Sequence, residues 1–432
     1  MSKFVVHNFG CRASQADGAA IASMLERSGY SAALENAPGS AQLVVLNTCT
    51  VTNAADTEVR QIVRRVHREN PDARIVVTGC YAQRAPEEIA QLPGVAMVVG
   101  NSHKSQIAEL VSAPYHGQVH VGDIFAAQEF LLAPVEDAGA DRSRPNLKIQ
   151  DGCGNRCSFC VIPYVRGRSR SAPVQQVVER VRALSDRFPE VVLTGINLGR
   201  WGREPGFGMR LVELLRVLLN DTDLRRLRLS SVEPMDWSDD LLRLVADSTR
   251  IAKHIHIPLQ SGSDTVLRRM HRRYRPRHYE SRVRLAREWM PDAAIGADVM
   301  VGFPGETEAE FDETRDFIER LPFTYLHIFP YSERPGTPAA DRADQVLEST
   351  RKARGRILKQ LGQEKNLEFR RRFVGRALSA VTIENNRAVT ENYLHVELAR
   401  ATPARQLIEL EVGALTDGGL REKSPFPVLA GS

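Results

Sequence analysis

The chain has 432 residues, 42% apolar and 26% charged. That is room for roughly two to four domains and the balance of a globular protein rather than a fibrous or disordered one. No apolar run approaches the ~18 residues that a membrane span needs, and the opening Met-Ser-Lys-Phe-Val-Val-His-Asn-Phe-Gly lacks an apolar signal-peptide core. A cytoplasmic protein with reduced thiols is expected, so the six cysteines read as metal ligands or reactive groups. A net charge of +5 permits a nucleic-acid partner without demanding one.

In the first third, β-branched runs at 3–9, 42–48, 74–79 and 95–99 alternate with helical patterns at Ser14–Ser28, Asp56–Glu69 and Pro86–Leu92. The alternation predicts a parallel α/β sheet. The first three runs each end beside a cysteine: Cys11, Cys49 and Cys80. Open parallel sheets gather ligands at the carboxyl ends of their strands, and the helix N-termini that follow favour thiolates. The three cysteines are expected to converge on one edge. Buried free cysteines are the alternative, and the threefold repetition of one structural position weighs against it.

Residues Glu129–Arg144 are rich in Ala, Asp and Arg without periodicity and read as a linker. A strand at Leu147–Gln150 then feeds the loop Asp151-Gly-Cys-Gly-Asn-Arg-Cys-Ser-Phe-Cys160, with Cys153, Cys157 and Cys160 spaced C-x3-C-x2-C. Iron–sulfur clusters usually take four cysteines, so three on one loop suggest a cubane with one iron open for chemistry. A zinc site is the competing reading, but structural zinc closes with four ligands. The nearest upstream candidates, His116 and His120, lie across the linker.

Helix and strand patterns continue to alternate as far as Tyr325–Tyr331, giving six β/α units and a partial TIM-type barrel. Chemistry in such barrels sits at the C-terminal strand ends, here Thr194–Gly199, Ser230–Pro234, Pro258–Gly262 and Val301–Thr307. Ser231 and Glu233 fall there; Glu233 suits either ribose hydroxyls or a structural salt bridge. His254 and His256 share one strand face by period two and read as packed or hydrogen-bonded core histidines rather than metal ligands. Basic runs at Arg268–Arg277 and Arg370–Arg372 suit RNA phosphates or a solvated helix face equally. A charged helix at Glu348–Arg372 leads to short alternating strands after Gly375, expected to form a small antiparallel barrel.

The cysteine loop resembles the signature of the radical S-adenosylmethionine (SAM) enzymes, with Phe159 at the aromatic position before the last cysteine. That resemblance implies an open iron that chelates SAM and an electron transfer that cleaves it to a deoxyadenosyl radical. Asn8-Phe-Gly-Cys-Arg12, Asn47-Thr-Cys-Thr-Val-Thr52 and Thr78-Gly-Cys-Tyr-Ala-Gln83 resemble the N-terminal domain of the methylthiotransferases, members of that superfamily with an additional cluster. Two [4Fe-4S] clusters are thereby implied. Cys153, Cys157 and Cys160 would hold the radical-generating one, and Cys11, Cys49 and Cys80 the one that delivers sulfur.

By the same resemblance Gly195 and Asn197 stand where the family holds the SAM amino group, and Gln260 at an active-site position. The tail resembles the RNA-binding TRAM barrel in Ala380–Glu384 and Val389–Val396. The implied division is 1–125, an N-terminal domain with the auxiliary cluster; 145–365, a radical SAM core; and 373–432, a TRAM-like domain. Thr48–Asp56 and Gly10-Cys-Arg12 resemble the branch acting on threonylcarbamoyladenosine at tRNA position 37, rather than the isopentenyladenosine or ribosomal-protein branches. Implied partners are the tRNA anticodon stem-loop, an electron donor such as a flavodoxin or ferredoxin, and a sulfur donor; neither DNA nor a membrane is expected. A non-catalytic iron–sulfur RNA-binding or redox-sensing protein would use the same cysteines, but it would need no Gly-rich SAM cradle at the strand ends.

Overall fold

The computed structural model describes residues 2–33, 41–113, 118–126, 130, 131 and 143–424. His116 and nearly all of the expected linker lie outside them.

The N-terminal sheet has six parallel strands in the order β2-β1-β3-β4-β5-β6. They are β1 (Lys3–Asn8), β2 (Ser31–Ala32), β3 (Leu43–Thr48), β4 (Arg74–Gly79), β5 (Val95–Gly100) and β6 (Val119–His120). Continuous apolar runs such as Leu43-Val-Val-Leu46 are buried throughout because helices cover both faces. Three helices start just behind strands. Cys11 is the N-cap of Arg12–Arg27, Thr52 caps Asn53–Glu69 by accepting from the Ala55 N–H, and Cys80 opens Cys80–Arg84. The two-residue strands β2 and β6 are too short to carry a period-two signal.

The central part forms the expected partial barrel. Its strands are β7 (Asn146–Asp151), β8 (Arg170–Ser171), β9 (Glu190–Gly195), β10 (Arg226–Leu229), β11 (His254–His256), β12 (Ala294–Val301) and β13 (Tyr325–Pro330). Parallel arcs β10-β9-β7 and β11-β12-β13 meet at the bridge between Leu227 and Ile251, and β8 adds an antiparallel edge. Trp201, Trp237, Tyr279, Phe311 and Phe317 fill the space between strands and outer helices.

The helix Glu348–Arg371 leads to a closed five-stranded barrel of β14 (Ala377–Ile383), β15 (Arg387–Thr390), β16 (His395–Glu397), β17 (Leu407–Leu415) and β18 (Leu420–Glu422), ordered β14-β15-β16-β18-β17. It docks firmly on the central part. Phe369 and Phe373 share one apolar cluster with Ala294, Leu378 and Val412. The fully buried Arg228 of β10 donates to the carbonyls of Thr390 and Glu391, each at 3.0 Å, and pairs with buried Glu190 of β9 at 2.7 Å.

Burial alone would raise the Glu190 carboxyl, but Arg228, Arg144 and Arg226 hold it at about 2. Such a group contributes stability above the pKa of the unfolded carboxyl, about 4.3, and loses it as pH falls towards the folded value. Denaturant titrations should therefore show roughly 2–3 kcal/mol lost between about pH 4 and pH 2. Glu190→Gln should flatten that slope; an unchanged slope would assign the acid sensitivity elsewhere.

Candidate active site

Two strand-end glycines bring the first cysteine triad together. Gly10 has φ +94°, and a Cβ on it would lie 2.6 Å from the Cβ of Cys49. Gly79 has φ +100°, and a Cβ there would lie 2.4 Å from the Thr48 carbonyl oxygen. Only glycine permits both turns and the close approach. Cys49 and Cys80 are buried while Cys11 is exposed. Burial, with Cys80 and Cys11 as neighbours, pushes the Cys49 thiol up to about 12. Left alone the Cys49 thiol keeps its proton; a cationic centre is what would turn it into a ligand.

The surroundings of Cys80 carry a charge surplus. Arg166 Nε donates to Cys80 Sγ at 3.3 Å, and its other nitrogens reach Asp151 and Asp17, each at 2.9 Å. Lys104 and Lys148 also pair with Asp17, and all five side chains are buried apart from the edge of Asp151. Burial opposes the charge on Arg166, yet Cys80, Asp151 and Asp17 hold it protonated. Three cations thus face two carboxylates, and a buried unpaired charge is costly. A pocket with that surplus suits an anionic sulfur centre on Cys80. Arg166→Met removes one ionic link between the N-terminal sheet and the cysteine loop and should cost about 3 kcal/mol in a denaturant titration; an unchanged midpoint would dismiss Arg166 as a fastener.

The second triad sits on the loop after β7. Cys153 Sγ accepts from the Asn155 N–H at 3.4 Å and from Asn197 Nδ2 at 3.7 Å, and Cys157 Sγ from Arg272 Nη1 at 3.2 Å. Burial, then Cys157, pushes Cys160 up to about 12. Among the described residues, the group of His, Cys, Asp and Glu whose ligand atoms all lie within 4.8 Å of one another is His256, Asp298 and His327. Neither cysteine triad is that tight. A single zinc with Zn–S of about 2.3 Å would draw three sulfurs to roughly 3.8 Å.

The residues expected at the barrel strand ends surround this loop. Asn197 reaches Cys153, and its Oδ1 is buried without a hydrogen-bond partner. Gln260 is buried at φ +64° with an equally unpartnered Oε1. Phe159 packs edge-on against Phe303, centroids 6.4 Å apart. Glu233 pairs with Arg272, the same residue that touches Cys157, so the salt-bridge alternative holds for at least one of its oxygens. Gly195 and Ser231 line a cavity of about 320 Å3 that runs from the strand ends into the partial barrel.

That cavity has walls from all three parts: Cys11 and Arg12 from the N-terminal sheet, Gly195, Ser230 and Ser231 from the barrel, and Tyr393 from the tail. His254 and His256 are buried and hydrogen-bonded, as expected, with Tyr325 Oη at 2.7 and 2.9 Å; they nevertheless form cavity wall. Two expectations need correction. Arg272, placed by its basic run among RNA contacts, is only 7% exposed and belongs to the cysteine loop. Arg370 is buried as well, donating to the carbonyls of Thr416 and Gly419. A basic run does not say which of its members turns inwards. Arg166, Asp298, Tyr325 and Tyr393 carried no separate signal, because their partners lie far away in sequence.

Two family models match: "Uncharacterized protein family UPF0004" over residues 3–100 and "Radical SAM superfamily" over 147–318. The protein named Threonylcarbamoyladenosine tRNA methylthiotransferase MtaB of Aquifex aeolicus is 40% identical over 91% of this chain and 96% of its own length. Its namesake in Bacillus subtilis is 38% identical over 92% and 90%. The radical SAM methyltransferase TsrM from Kitasatospora setae shares the fold at a TM-score of 0.57 and 18% identity, covering 79% of this chain and 77% of its own. With such relatives matched along nearly their whole length, the chain belongs to the radical SAM methylthiotransferase family.

Proposed function

We propose that this protein methylthiolates threonylcarbamoyladenosine at position 37 of tRNA. The observation that carries the reading is the single cavity bordered by Cys11 at one side and by Gly195 and Ser231 at another. A base held there lies beside both cofactor positions. Bound in place, the two [4Fe-4S] clusters and SAM supply the radical, the sulfur and the methyl group.

The chain's own residues do the rest. Cys153, Cys157 and Cys160 hold the SAM-binding cluster, with Arg272 and Asn197 donating to its thiolates. Cys11, Cys49 and Cys80 hold the auxiliary cluster, with Arg166 offsetting its charge. Phe159, Gly195, Asn197, Ser231, Glu233 and Gln260 shape the SAM site. The target adenine is stacked beside the anticodon, so it must be splayed out to enter the cavity. We assign 1–125 to the auxiliary-cluster domain, 145–365 to the radical SAM core and 373–432 to a TRAM-like RNA-binding domain. Exposed Arg268 and Arg273 remain to position phosphates. The reading also requires an electron donor of the flavodoxin or ferredoxin kind, a sulfur donor, and a cytoplasmic location where tRNA is met; among the described residues no helix is long and apolar enough to cross a membrane.

Nucleoside mass spectrometry of tRNA from a strain lacking the gene tests the substrate. The 2-methylthio form of threonylcarbamoyladenosine should vanish and its precursor accumulate. Loss of the 2-methylthio isopentenyl nucleoside instead would move the protein to another branch. A sensor without catalysis would form no deoxyadenosine from SAM and dithionite.

A further inference from the structure

Arg12 borders two cavities, of about 320 and 270 Å3, at the junction of the three parts. Its Nη2 donates to Tyr393 Oη at 3.0 Å, and the guanidinium lies 5.9 Å from the centre of that ring. Among the described residues no carboxylate forms an ion pair with it, although Arg228 behind the same ring is fully paired with Glu190. Tyr393 in turn stacks on His254, centroids 4.4 Å apart. Arginine, tyrosine and histidine thus form one continuous wall.

Polar contacts behind that wall hold the two histidines in place. His256 Nε2 lies 3.1 Å from Asp298 Oδ2. Burial by itself would raise the Asp298 carboxyl, but hydrogen bonds from His256 and His327 lower it below the usual range. Tyr325 Oη is shared between the two imidazoles, 2.9 Å from His256 Nδ1 and 2.7 Å from His254 Nε2. Burial, with Arg228 and Arg12 nearby, keeps His254 neutral. Its Nδ1 is buried on the cavity wall without a hydrogen-bond partner, as is the hydroxyl of Ser230. Buried polar atoms of this kind are normally satisfied, and here a ligand is what can satisfy them.

Resting on the function proposed above, we infer that this wall reads the threonylcarbamoyl group: Arg12 pairs with its carboxylate, and His254 Nδ1 hydrogen-bonds one of its polar groups. A dimethylallyl group offers neither an anion nor a hydrogen-bonding atom. It would leave Arg12 and His254 desolvated and unpaired, so the wall rejects it as well as selecting its rival.

The test uses full-length, anaerobically reconstituted protein and two anticodon stem-loop RNAs at one salt concentration. One carries threonylcarbamoyladenosine at position 37, the other plain adenosine. Wild type should bind the modified RNA tighter by on the order of 10- to 100-fold, the usual worth of a charge-assisted pair. Arg12→Gln should bring the two affinities within about threefold, and Arg12→Lys should restore part of the preference. Tyr393→Phe, remote in sequence from the cluster cysteines, should weaken the preference without loss of iron. Iron content controls for damage at neighbouring Cys11. Full preference in Arg12→Gln, or none in a wild type that still methylthiolates the modified RNA, overturns the inference and leaves the proposed function standing. A wild type that shows no preference and does not methylthiolate the modified RNA removes both.

Discussion

Replacing Cys153, Cys157 and Cys160 together by alanine should end deoxyadenosine formation and halve the iron of reconstituted protein, from about eight atoms to about four, as expected for one of two cubanes lost. The half that stays is the informative part. The other triad is held by separate means: the turns at Gly10 and Gly79 and the Arg166 network. Nothing in the loop substitution touches Asp17, Lys104 or Lys148, so the N-terminal sheet keeps its own site. Zinc in place of iron, or iron unchanged in the triple variant, would refute the two-cluster reading.

Cys80→Ala is expected to do the reverse. Methylthiolation of tRNA should disappear while slow, uncoupled SAM cleavage continues. Arg166 loses its sulfur partner but keeps Asp17 and Asp151, so the loop after β7 stays in place. The second triad keeps its own donors, Arg272 and Asn197. Deoxyadenosine release and nucleoside analysis of the same reaction separate the two outcomes. Product formation at the wild-type rate would show that the auxiliary site is not the sulfur source.

The strands and cysteines were legible because their signals are local. A β-branched run ending in Gly-Cys announces both a strand and what stands at its end, and three cysteines within eight positions announce a metal loop. The tail barrel was legible as a run of short strands, though β18 was lost among glycines and charged residues. What sequence did not show is what burial decides. Arg268 and Arg272 read alike in one basic run, yet the first is exposed beside Asp264 and the second lies under the cysteine loop. Nor could a period-two pattern tell a core histidine from one that walls a cavity, because both faces of such a strand are sheltered. Tyr325 joins His254 and His256 across about 70 positions, a contact set by β11, β12 and β13 lying side by side.

Arg12 and Tyr393 are 381 positions apart and share a hydrogen bond. Selectivity in this molecule is therefore not housed in a module that can be cut out and moved. A chimera that takes its N-terminal sheet from a relative with a different substrate would set a foreign residue against Tyr393, and one that borrows only the tail would leave Arg12 without its clamp. Transplanting the preference requires both grafts to travel together, the first dozen residues with the last sixty.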